Sequence, residues 1–343
     1  MKKILLIASF LLLFLQQGMA QNPFISSWST TTDSESISIP LNGSFNYDFS
    51  YVWKNAADSS VVTSGTHTSA DGTFETELPT TGNYFIEITG DFPHFQGYPK
   101  DKLTDVNQWG DIVWRSMFQT FNEWPGVAFS AEDNPDLSQV TDMSQMFFRA
   151  GSFNDDISDW DVSNVTNMAV LFRQAVAFNQ PLNNWNVENV TNMAIMFENA
   201  NSFNQDLNDW VTNSVTNVNR MFNGADVFNG DIGTWNVSNL TNMQDMFKDA
   251  IAFNSNIGNW NVEKVTNMRG TFQNADAFTQ DISSWNVSRV NNMRDMFLNN
   301  GGFNGNISQW NVESVTDMQG MFANALVFNS DLNGWNVGNV RNM

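Results

Sequence analysis

The chain has 343 residues, with 36 acidic against 15 basic, a formal net charge of −21, two histidines and no cysteine. Without cysteine there is no disulfide framework and no lipid-modified cysteine anchor, and a balance this acidic repels nucleic acid and anionic membranes. The composition, 41% hydrophobic and 13% aromatic, is globular, and the length allows more than one domain.

Residues 1–20 read as a secretory signal: Lys2 and Lys3 ahead of the apolar run Ile4 to Leu15, then Gly18-Met19-Ala20 as a small-residue cleavage site. Its removal takes two lysines and leaves 13 basic against 36 acidic residues, a net −23. The apolar run is short for a bilayer, and no later stretch is a transmembrane candidate. The expected location is secreted or cell-surface, extracellular and associated with the outer membrane.

Residues 21–90 alternate apolar with Ser, Thr and Gly. Ile37 to Ile39, Phe45 to Tyr51, Val61-Val62, Phe74 to Leu78 and Tyr84 to Ile88 read as strands separated by Asn42-Gly43, Asp71-Gly72 and Thr81-Gly82-Asn83 turns. Short strands with frequent turns predict a small β-sandwich. The runs Tyr47 to Trp53, His67-Thr68 and Gly82 to Thr89 resemble polycystic-kidney-disease-type immunoglobulin-like modules of bacterial surface proteins, although Trp53-Lys-Asn-Ala stands where those carry Trp-Gly-Asp-Gly. Residues 91–135 share the residue types of the C-terminal repeats without their spacing, as an N-terminal cap would. A strand is expected from Asp101 to Gly110 and a helical arc from Trp114 to Phe121.

Residues 136–343 repeat every 25 residues without insertion. Trp stands at 160, 185, 210, 235, 260, 285, 310 and 335, and Phe at 147, 172, 197, 222, 247, 272, 297 and 322 and again from 153 to 328. A strict period in this range means one unit stacked on copies of itself. In one copy Leu182-x-x-Trp185-x-Val187 has leucine-rich-repeat spacing. Alternation predicts a short strand there, and Val190, Met193, Met196, Phe197 and Ala200 predict a short helical arc. The expected fold is mainly β with short helical arcs, a right-handed leucine-rich-repeat-like solenoid preceded by a small β-sandwich. The third copy departs, with Trp210-Val211-Thr212 in place of Trp-Asn-Val and Val218 in place of Met.

The segments Trp109 to Met117, Pro135 to Met143 and the repeating Trp-Asn-Val-x-x-Val-Thr-Asn-Met…Met-Phe…Ala…Phe-Asn resemble the BspA-type leucine-rich-repeat surface proteins over residues 91–343. The resemblance implies an exported, non-enzymatic surface protein associated with adhesion.

Four constellations need weighing. Repeated Met-x-x-Met pairs such as Met193/Met196 have soft-metal chemistry, but Leu171, Val218 and Thr271 replace one member elsewhere, which core packing explains. The Asn-x-Ser/Thr triplets at Asn164, Asn189, Asn239 and Asn286 are generated by the repeat and read as turn chemistry. His67 and His94 lie outside the repeats, and no nucleophile elbow, zinc spacing or phosphate loop accompanies them, so no enzyme is expected and no cofactor. Calcium bridging Asp206 and Asp231 is weighed against a solvated edge, which is the preferred reading.

The candidate binding face is the concave strand side: Asp159, Asp161, Asn186, Glu188, Asp209, Asn236, Asn261, Glu263, Asn286, Asn311, Glu313 and Asn336. A polar, acidic trough suits a hydroxyl-rich or cationic ligand, a glycan or protein of a host or neighbouring cell. The central asparagines equally suit a ladder of amides bonded along the stack. The rival function is a structural spacer displaying another module. The sequence stops in mid-repeat at Met343, so further repeats and an anchoring module are expected beyond it.

Overall fold

The computed structural model describes residues 21–69, 72–97 and 102–343; the expected signal at 1–20 and the turn residue Asp71 lie outside them. Eight strands form: β1 (Phe24–Thr30), β2 (Glu35–Pro40), β3 (Tyr47–Asn55), β4 (Val61–Ser69), β5 (Thr73–Leu78), β6 (Gly82–Asp91), β7 (Leu103–Gln108) and β8 (Ala128–Phe129). Six make one sheet in the order β4-β3-β6-β1-β7-β8, and β2 pairs with β5 in a second. Strict alternation drives this: Phe24, Ser26, Trp28 and Thr30 of β1 are buried while the residues between them are not. Phe74 of β5 packs edge-on against Phe49 of β3 at 5.4 Å, which joins the two sheets.

The main sheet carries the N-terminal strands directly into the cap. β7 pairs antiparallel with β1, and β8 pairs in parallel with β7. Asp111 Oδ2 accepts from Asn22 N at 2.7 Å, Arg115 pairs with Asp91 at 3.0 Å, and Trp28 meets Trp124 edge-on at 6.4 Å. Gly110, at φ 63°, allows a close approach: a Cβ there would lie 2.3 Å from Pro23 O. At the other end of β7 the Lys102 ammonium hydrogen-bonds Glu35 and holds that carboxyl down at about 2. One continuous apolar core then runs from Phe24 to Met321.

In the repeats the expected architecture is overturned. The described residues contain no helix, and sheets are confined to residues 24–129; the array carries only isolated parallel bridges such as Asn167↔Asn192. Leu182 to Val187 is not a strand but a turn, closed by Trp185 N donating to Leu182 O at 3.0 Å. The arc Met193 to Ala200 is a train of turns, and the reason lies in where its N–H groups go. Met196, Glu198 and Ala200 donate to the carbonyl three residues back. Met193, Ile195, Phe197 and Asn199 donate instead to Asn217, Asn219, Met221 and Asn223 of the next coil, at 2.8–2.9 Å. An α-helix would spend every N–H internally; here alternate donors are released to bind the neighbour. The geometry requires left-handed residues, as in type II turns, and Ile195 (φ 64°) and Asn199 (φ 55°) supply them. A leucine-rich-repeat solenoid of strands and helical arcs is therefore replaced by a stack of turn-built coils.

Side chains reinforce the stack. Phe172, Phe197 and Phe222 lie nearly parallel at 5.5 Å spacing, and each also stacks on the second phenylalanine of its own coil at 3.9–4.1 Å. The Trp185 indole donates to Ile157 O at 3.0 Å, 28 residues back, and the same bond recurs from Trp210 through Trp335. The methionines of the Met-x-x-Met pairs are buried in this core. The coils meet imperfectly at one place. Among the described residues the bridge series passes from Asn192↔Asn217 to Asn242↔Asn267, and neither Val218 N nor Thr241 N makes the intercoil bond its counterparts make. This seam follows the irregular third copy.

Candidate functional site

The twelve expected site residues all lie exposed on the turns around the Trp of each coil, which is buried in every coil but that of Trp335. They are not strand residues, and the central position has a local task. Asn186 Oδ1 accepts from Glu188 N at 3.1 Å, and Asn236, Asn261, Asn286, Asn311 and Asn336 make the same bond two residues on, at 3.1–3.2 Å. These are Asx turns. Asp161 does likewise with Ser163 at 3.0 Å, and hydrogen bonds from Ser163 hold its carboxyl below the usual range. The amides at this position do not bond one another along the stack. Side-chain ladders do occur, but elsewhere: Asn192 to Asn167 to Asp142 at 3.1 Å each, and Asn324 to Asn299 to Asn274 at 2.8–2.9 Å.

The remaining members of the face are freer. Among the described residues, Asp159, Glu188, Glu263 and Glu313 have exposed carboxylates with no hydrogen bond or ion pair. Asp209 accepts from Asn183 Nδ2 at 2.6 Å. In the third copy Val211 is 45% exposed while Thr212 is buried, its hydroxyl donating to Asn236 O at 3.1 Å. Beside Val211 lies a shallow cleft of about 320 Å³ lined by Asn183, Asn184, Trp185, Asn186, Val187 and Asp209.

No group of three or more His, Cys, Asp or Glu among the described residues is arranged to hold a metal. At the acidic edge weighed for calcium, Asp206 Oδ1 accepts from Asp231 N at 2.8 Å, and Asp231 Oδ1 from Gly233 N at 2.9 Å. His94 is fully buried, with Nε2 2.8 Å from Phe118 O, and burial pushes its imidazole down to about 4. No helix of the described residues is long and apolar enough to cross a membrane.

A second polar cluster escaped the sequence reading. On the outer side of the turn train, Glu198 is 1% exposed and pairs with Arg173 at 2.5 Å and with Arg220. The sequence carried little signal for it: the Glu198 position reads Phe148, Arg173, Asn223, Lys248 and Gln273 in other copies, and the Arg220 position Gln145, Val170, Ile195, Asp245 and Gly270, so neither residue stands out from a fixed pattern.

A core built, over residues 136–343, from stacked 25-residue coils defines a repeat protein. The chain belongs to the family described as "Mycoplasma protein of unknown function, DUF285", whose model matches residues 114–231, 207–300 and 271–343. No curated protein and no solved structure matches the chain.

Proposed function

We propose that this is an exported, surface-displayed binding protein of the adhesion-associated BspA-like class, engaging its ligand through the exposed face of the Trp–Asn–Val turns. The observation that carries the reading is the set of carboxylates without partners, at Asp159, Glu188, Glu263 and Glu313, on a face whose other polar groups are already engaged in turns. Unneutralised carboxylates at intervals along a regular stack favour a repetitive hydroxyl-rich or cationic partner, a glycan or a protein of another cell, through weak contacts that add by avidity. The Asx turns favour a second reading: the uniform asparagines are scaffold, as a spacer requires. The test replaces Glu188, Glu263 and Glu313 together by Gln and measures binding to glycan and cationic-peptide arrays beside thermal melting. The binding reading expects lost binding at unchanged stability. Unchanged binding at unchanged stability refutes the acidic face and leaves the spacer.

A further inference from the structure

The array carries nine basic residues, and six of them, Arg149, Arg173, Arg220, Lys248, Arg269 and Arg294, sit on the outer side of the turn train. Only four of its 21 acidic residues share that side. One flank of a strongly acidic protein is thus mildly cationic, and over the first four coils its three arginines are fixed in place. Arg149 donates from Nε to Gln174 at 2.8 Å and from Nη1 to Glu123 at 3.1 Å, with its guanidinium 4.9 Å above the Phe148 ring. Arg173 lies 5.2 Å over the same ring, and its Nε is 2.5 Å from Glu198 Oε2. Glu198 reaches Arg220 with its other oxygen, so a buried carboxylate ties two guanidinia of different coils together. Arg173 donates no hydrogen bond from either terminal nitrogen, and neither does Arg220 from Nη1; none of these atoms is buried.

A buried carboxylate between two arginines is weak evidence for stability, since its desolvation offsets the attraction. What it does is restrict the guanidinia, which lowers the ordering cost of binding by them. The backbone beneath is left-handed in every coil, but two of the residues that adopt it here are atypical. Val170 and Ile195 are β-branched residues at φ 64°, where the corresponding residues of later coils are Asp245, Gly270, Asp295 and Gly320. Left-handed β-branched residues cost energy, and such strain gathers at functional surfaces.

We propose that Arg149, Arg173 and Arg220, set around Phe148 and Glu198, form an anion-binding ridge for a linear acidic polysaccharide bearing carboxylate or sulfate groups. The spacing favours such a sparse polyanion. Arg149 to Arg220 spans three coil steps of roughly 4.8 Å, one guanidinium every one to two coils, with the intervening Glu198 carboxylate buried. Duplex nucleic acid carries a charge about every 1.7 Å, which a protein this acidic repels. The ridge is separate from the acidic turn face and takes the opposite ligand charge.

The experiment uses the full chain and polygalacturonate as the probe, with neutral dextran, polyglutamate and duplex DNA as comparators, across a salt titration. Binding to polygalacturonate that weakens with salt, and no binding to dextran, is expected. Removing the arginines alone strands a buried carboxylate, so the variant is Arg173→Gln/Glu198→Gln/Arg220→Gln, which leaves no unpaired charge. It is expected to melt near the parent temperature and to lose roughly tenfold or more in affinity. Polygalacturonate binding that the triple variant retains, or none by the parent, overturns the proposal. Tighter binding of polyglutamate or DNA overturns it in favour of those classes, and salt-sensitive self-association abolished in the variant assigns the ridge to a second copy. The Glu188/Glu263/Glu313→Gln protein should bind polygalacturonate unchanged, so the two faces fail or survive independently.

Discussion

Trp260→Ala tests whether contacts between coils, rather than each coil's own turns, stabilise the array. Trp260 is 3% exposed, its indole donates to Ile232 O at 3.2 Å, and its ring centre lies 6.2 Å from those of Trp235 and Phe247. Truncation removes apolar burial and leaves a cavity, about 3–5 kcal/mol for a large aromatic, and strips a buried carbonyl of its donor, about 1 kcal/mol more. Trp260→Phe should keep most of the packing and lose the hydrogen bond, costing roughly 1–3 kcal/mol. Trp335 keeps the same bond, to Ile307 O at 3.1 Å, but is only half-buried, so Trp335→Ala should cost clearly less than Trp260→Ala. Urea titrations followed by far-ultraviolet circular dichroism give the midpoints, with m unchanged if unfolding stays cooperative. Equal losses at Trp260 and Trp335, or a Phe variant as damaged as the Ala variant, would refute stacking as the source of stability.

Two further outcomes rest on local chemistry. Ile195→Asn replaces a β-branched residue at φ 64° with one that tolerates the left-handed region, and should raise the urea midpoint by the equivalent of about 1 kcal/mol; a lowered midpoint would show that burial of Ile195 outweighs its strain. His94, held at about 4 by burial against an ordinary value of 6.5, makes stability pH-dependent. Below 6.5 the unfolded chain takes up a proton that the folded one refuses, so its contribution is whole above that pH and falls on the order of 3 kcal/mol by pH 4. His94→Gln should flatten the midpoint between pH 7 and 4 relative to the parent, and parallel curves for the two proteins would assign the acid sensitivity to other groups.

The period, the buried Trp and Phe positions and the aromatic core were legible because packing dictates residue type at fixed steps. The backbone was not. Met193, Met196, Phe197 and Ala200 have the spacing of a helix face, yet the same spacing arises when turns of three residues succeed one another, since both bring every third or fourth side chain to one side. The deciding feature, alternate N–H groups given to the next coil, leaves no mark on hydrophobic pattern. Left-handed residues were a weak signal, because Asn199 and Gly270 suggest them while Val170 and Ile195 conceal them. On the turn face Asp159, Glu188, Glu263 and Glu313 are exposed. The turn-closing task of the asparagines beside them was not legible, because an Asx turn and an outward amide look alike in sequence, both being Asn two residues before a small or acidic one.

This division limits where recognition can reside. Asn186 and its equivalents close turns, Thr166, Thr191 and Thr266 each donate to the carbonyl 25 residues earlier, and Asn189 Nδ2 donates to Ser163 O at 2.8 Å. Asn179 and Asn204 accept the backbone N–H of the following coil at 2.7–2.9 Å. Each of these residues recurs because the stack needs it, so its frequency says nothing about ligand. The positions free of such duty are those occupied by Glu188 and its counterparts on the turn face, and by Arg173, Glu198 and Arg220 on the turn train. Residue type there changes from coil to coil while the backbone stays the same. On the proposed reading, exchanging these few charges would change what the protein recognises without disturbing the bonds that hold its coils together.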